Sequence, residues 1–143
     1  MVVSALLMAC NSSAEEADNH TTAPEEQEHH DAGGEGLMLN HGARWVANPE
    51  TTAGISSMQQ AIQDSTQAES PAGCAQLAAR LTASFDGIIR QCTMTGEAHE
   101  QLHHYILPLK RDIATLSTAE GTDCAEQVVK MATYLSTYAD YFE

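Results

Sequence analysis

From Leu37 onward the apolar positions recur every three or four residues, and no stretch alternates strictly enough to make a strand. The pattern predicts four amphipathic helices of about 18 to 24 residues. Asn48-Pro49-Glu50 opens the first, with Asn48 placed to cap and Pro49 tolerated in the first turn; Ile55, Met58 and Ile62 then share a face. Ser70-Pro71 repeats that grammar for a second helix whose stripe is Leu77, Leu81, Phe85, Ile88 and Cys92. Thr95-Gly96-Glu97 opens a third with His99, Leu102, Ile106, Leu109, Ile113 and Leu116 at heptad spacing. Gly121-Thr122-Asp123 opens the fourth, which reads through Val128, Met131, Leu135 and Tyr138 to Phe142. Short connections make consecutive helices antiparallel, so the expected fold is all-α, an up-down-up-down four-helix bundle over residues 37–143. Pro108 interrupts the third helix and predicts a kink one turn after the histidines. Trp45 is expected to cap one end of the bundle.

Upstream the pattern changes twice. Val2 to Met8 is almost wholly apolar and runs into Leu7-Met8-Ala9-Cys10, too short to span a bilayer but shaped like the end of a secretion signal. Residues 1–9 read as that signal and Cys10 as a lipidated first residue of the mature chain. No Lys or Arg precedes the apolar run, which suggests a signal extending upstream of Met1. Residues 10–36 follow with eight acidic side chains between Asn11 and Gly36, no Lys or Arg and no large apolar residue. Such a stretch buries too little surface to offset its ordering entropy and reads as a disordered acidic tether. His20, His29 and His30 lie within it and could chelate a divalent metal only weakly, since nothing fixes their geometry.

Charge sharpens the picture. Six Lys and Arg against 20 Asp and Glu give a net charge of -14 over 143 residues, a surface that repels phosphate backbones and so argues against nucleic-acid binding.

The four cysteines sort by position. Cys74 and Cys124 each lie in the first turn of a helix, and an antiparallel bundle brings those two ends together. Cys92 closes the second helix, roughly 27 Å from Cys74 at 1.5 Å per residue, well beyond bridging distance. The expected disulfide is therefore Cys74–Cys124, although a square bundle sets its two helices on a diagonal and demands inward bending there. With Cys10 lipidated, Cys92 is left as a single thiol.

Around it, Cys92, Met94, His99 and His103 crowd one loop–helix junction, with the two histidines one helical turn apart. Gly96 allows the loop to fold back over the first turn of the third helix, while His104 points about 100° away from His103 toward solvent. Two imidazoles, a thiolate and a thioether are a copper ligand set, because the sulfurs favour Cu(I) and imidazole accommodates both oxidation states. Zinc is the alternative metal, gaining little from Met94. A non-covalent haem held by His99 with Met58 or Met131 is a further one; covalent haem is excluded by the lack of Cys-x-x-Cys-His. A metal-free structural or partner-binding module is the rival class. Catalysis is not expected, since no base and oxyanion pocket accompany the Cys–His pair. Glu100-x-x-His103 supplies one half-motif of a carboxylate di-metal site, and no other helix carries a His.

The run Cys92-Thr93-Met94-x-Gly96-x-x-His99-x-x-Leu102-His103, with the Cys10 lipobox, the His-bearing acidic linker and the Trp45 segment, resembles a group of small bacterial envelope lipoproteins. The likeness extends from Leu39 to Phe142. It implies an exported helical domain with this motif as its signature, and it brings no activity with it. The copper reading of Cys92, Met94, His99 and His103 itself points to electron transfer or copper handling, with Cys10 as the membrane anchor and a redox or metallochaperone partner.

Overall fold

A computed structural model describes residues 36–65 and 70–143. The signal segment, Cys10, the three tether histidines and all of residues 10–35 lie outside the described residues. The described chain is mostly helical and contains no strand: α1 (Pro49–Gln63), α2 (Pro71–Gln91), α3 (Gly96–Thr118), α4 (Thr122–Ser136) and a final turn, α5 (Tyr138–Tyr141). None of these helices is long and apolar enough to cross a membrane.

Each start is set locally. Asn48 precedes Pro49 in extended backbone, and its amide accepts from the buried Thr51 Oγ1 at 2.7 Å while donating to Glu50 at 2.8 Å. That second bond holds the Glu50 carboxyl below its ordinary range. Ser70 caps α2 by accepting from the Gly73 amide at 3.1 Å. The predicted stripes bury at most of their positions: Ile55, Met58 and Ile62 on α1, Leu77, Leu81, Phe85 and Ile88 on α2, Leu102, Ile106, Leu109, Ile113 and Leu116 on α3, and Met131 and Leu135 on α4, while Cys92, His99 and Val128 of the same stripes are only half-buried.

The fourth helix is shorter than its stripe predicts. It stops at Ser136, and Thr137 turns the chain before Tyr138 and Phe142 rejoin the core. The cause is competition for one acceptor. The Tyr134 carbonyl receives the Thr137 amide at 3.0 Å, the Thr137 hydroxyl at 2.8 Å and the Tyr105 hydroxyl at 3.1 Å, which tightens the last turn.

Helix α1 packs on α2, α2 on α3, α3 on α4 and α4 on α1, a closed ring around one apolar core. Gly54 lets α1 approach α2, since a Cβ there would overlap the Ile88 side chain. Lys130 reaches across from α4 to Asp112 on α3 at 2.7 Å. Although α2 and α4 stand opposite in the ring, Cys74 and Cys124 form a disulfide with Cα atoms 6.2 Å apart, both sulfurs fully buried.

Ahead of α1, the leading segment, residues 36–48, makes a tight reversal at His41-Gly42 closed by two 2.9 Å backbone bonds between Asn40 and Ala43. It then runs beside the C-terminus, where the Trp45 and Ala47 amides donate to Tyr141 and Glu143 and the Glu143 amide returns to Trp45 at 2.9 Å. Trp45 is half-buried against the core, a partial cap over that end.

The disulfide closes a loop of 50 residues, so replacing both cysteines by serine should cost about 2–4 kcal/mol by loosening the unfolded chain's constraint. Urea unfolding followed by far-ultraviolet circular dichroism measures it. By the same assay Gly54→Ala should cost about 1–3 kcal/mol through overpacking at Ile88.

Candidate functional site

The connection between α2 and α3 is residues 92–95, with Cys92 as the last cap of α2 and Thr95 as the first of α3. Gly96 takes a φ of +64°, a left-handed turn of the backbone at the junction. The turn carries the thiol back over the start of α3, where Cys92 Sγ lies 3.6 Å from His99 Nδ1. One turn further on, the His99 and His103 rings stand with centroids 4.4 Å apart and planes inclined by 52°.

Of the four candidate ligands, the structure thus joins Cys92 to His99 and His99 to His103. Cys92 and His99 are half-buried and His103 is exposed. Met94 is half-buried and packs against the apolar core. Among the described residues no three His, Cys, Asp or Glu side chains are already gathered as a metal-holding group. His104 is exposed and lays its ring against Gly36 of the leading segment.

What holds this end of α3 in place is an aromatic cluster whose centre, Tyr105 with Tyr134, the helical stripes did not single out. Tyr105 is fully buried, with its ring stacked on Tyr134 at 5.0 Å and edge-on to Tyr138 and Phe142 at 5.6 and 5.8 Å. The hydroxyls of Tyr105 and Tyr134 are exchanged across the α3–α4 seam: Tyr105 donates to the Tyr134 carbonyl, and Tyr134 donates to the Tyr105 carbonyl at 2.9 Å. Tyr138 meets Thr52 of α1 at 3.0 Å through their hydroxyls. Pro108 has no amide to offer the carbonyl of His104, yet α3 runs through it as one helix.

The sequence did contain a signal for this second row. Gln101, Tyr105 and Asp112 are buried and fall at spacings of four and seven, widening the contact face of α3 beyond its Leu and Ile positions. Gln101 Oε1 accepts from the Met38 amide at 2.7 Å, which fastens the leading segment to α3. Against protein-family models, curated proteins and solved structures, the chain has no match.

Burial raises the Tyr105 phenol far above its ordinary value of 10.0, with repulsion from Tyr134 adding to it, and burial also raises Tyr138. The unfolded chain therefore ionises first. These two groups contribute their full stability below about pH 10 and lose it as pH climbs from there toward the folded values. Urea unfolding free energy should be flat between about pH 8 and 9.5 and fall above about pH 10. Tyr105→Phe, costing about 1 kcal/mol at pH 8, should make that alkaline decline shallower.

Proposed function

We propose that this protein is an exported, lipid-anchored helical bundle that binds one transition-metal ion, copper, through Cys92, Met94, His99 and His103. The supporting observation is the 3.6 Å from Cys92 Sγ to His99 Nδ1. An ion held tetrahedrally at about 2.3 Å from a thiolate and about 2.0–2.1 Å from an imidazole sets those two atoms about 3.6 Å apart. The pair therefore has the separation of two ligands on one ion. His103 is the next ligand along the same helix, a side-chain rotation from the His99 ring, and Met94 completes the set from the 92–95 connection. Two sulfurs select copper over zinc, which gains little from a thioether.

His103 is exposed while Cys92 and His99 are half-buried. An exposed ligand is the one a partner's donor can displace, so the site suits copper transfer between this chain and a metallochaperone or redox partner. The Leu7-x-Ala9-Cys10 run supplies the anchor and the acidic residues 11–36 the spacer.

The up-down-up-down order belongs to the same proposal. Contacts of Asn48 with the Gln91 carbonyl, Gln59 with the Leu135 carbonyl and Tyr105 with Tyr134, together with the shared end of Cys74 and Cys124, fit helices that alternate in direction around the ring. That order keeps the 92–95 connection at the opposite end of α2 from the disulfide.

The test uses the full chain carrying Cys10→Ser, so that Cys92 is the only free thiol. Copper should bind with one equivalent giving a thiolate-to-metal charge-transfer band, and Cys92→Ala should abolish the band while His99→Ala weakens it. Copper on the tether histidines gives no such band, so weak binding there does not confuse the result. An unchanged band in Cys92→Ala refutes the assignment.

A further inference from the structure

Beside the leading segment, on the flank of α3 away from His99, lies a cleft of about 490 Å³ that the copper reading does not use. Its walls include Met38, Leu39, His41 and Trp45 from the leading segment and Glu97, Glu100 and Gln101 from the first two turns of α3. The volume falls in the range of specific ligand sites. Trp45 Nε1 is already committed to the Met38 carbonyl at 2.6 Å, so the indole offers the cleft its ring rather than its N–H. Neither Glu97 nor Glu100 pairs with a cation among the described residues, whose ion pairs are Arg44–Glu143, Arg80–Asp64 and Lys130–Asp112.

Gln101 supplies an independent sign of a ligand. The residue is 8% exposed, and its Oε1 is fixed by the Met38 amide, which orients Nε2 the other way. Among the described residues that amino group donates to no acceptor. Among the described residues no enclosed side-chain donor is left without a partner, so Nε2 keeps an opening, and the opening beside Gln101 is this cleft. Nε2 is therefore reachable from the cleft, and a carbonyl seated there can accept from it.

We infer that the cleft seats an arginine side chain of a partner's extended segment, its guanidinium over Trp45 and against Glu97 and Glu100, with a main-chain carbonyl of that segment accepting from Gln101 Nε2. Guanidinium fits each element: it stacks on an indole face, its planar fork suits carboxylates, and its weak hydration lowers the cost of entering a cleft with Met and Leu walls. A peptide supplies the carbonyl that a bare cation lacks. Outside residues 11–36 the chain has 12 Asp and Glu against six Lys and Arg, an excess of negative charge that draws such a segment in and repels the acidic residues 11–36.

Trp45 is the only tryptophan in the chain, so its emission reports the cleft directly. The full chain, freed of metal with EDTA, is titrated with acetyl-Ala-Arg-Ala-amide by calorimetry and by Trp45 emission. Its isostere with citrulline, which keeps the shape and loses the charge, and acetylated free arginine amide are the comparison ligands. Saturable one-site binding of the arginine tripeptide is expected. The citrulline tripeptide should bind about tenfold or more weakly, and so should the arginine tripeptide to Glu97→Gln/Glu100→Gln with unchanged circular dichroism. Free arginine amide binding as tightly as the tripeptide overturns the peptide assignment. No saturable heat or emission change, equal binding of citrulline, or undiminished binding by the double variant overturns the site. Because EDTA is present throughout, these outcomes are independent of copper.

Discussion

A fully buried phenol, Tyr105, and the half-buried Tyr134 stacked on it pose the problem that the rest of this bundle is arranged to solve. An unpaired buried hydroxyl is costly, and here each tyrosine settles the other's account by donating to a main-chain carbonyl across the seam between α3 and α4. The exchange works only in one register, with Tyr105 opposite Tyr134. Because the Tyr134 carbonyl also takes Thr137, the same exchange ends α4, and the short turn that follows lays Tyr138 and Phe142 over the Tyr105 ring. Phe142 and Glu143 then give Trp45 and Ala47 a backbone to lie beside. The cleft wall, the start of α3 and the end of the chain are therefore fixed by one polar contact repeated twice.

This dependence explains why the two ends of the molecule are held by different means. At the start of α2 and α4 a covalent bond spans helices that stand opposite in the ring, where packing alone leaves them apart. At the other end of α2, hydrogen bonds and stacked rings do the holding, and side chains there keep partial exposure. Cys92, His99 and His103, all at least partly exposed, lie at that end. The Cys92–His99 contact and the Trp45 cleft lie on two flanks of the same first turns of α3, so one rigid helix start orients both.

Much of this was legible in the sequence. The apolar stripes of α1, α2 and α3, the Ser70 cap and the pairing of Cys74 with Cys124 follow from spacing and from the length of a helix. The four-residue interval from His99 to His103 likewise announces neighbours on one face. What spacing could not reveal was the stop at Thr137, because Val128 to Phe142 keeps a helical rhythm while the decision is made by hydroxyls competing for a carbonyl. Nor could it reveal the docking of residues 36–48, which depends on single backbone bonds such as Met38 to Gln101 and has no period. Gln101 and Tyr105 look like interruptions of a heptad and are in fact its second face.

The length of α2 carries one more consequence. Cys92 lies at one end of a helix that begins near Cys74, and a thiolate must touch a disulfide sulfur to exchange with it. Scrambling within a single folded molecule would require much of that helix to unravel. The free thiol is thereby insulated from the crosslink by a rigid spacer, and an unpaired sulfur and an oxidised pair can coexist in the same small chain without a separate mechanism to keep them apart.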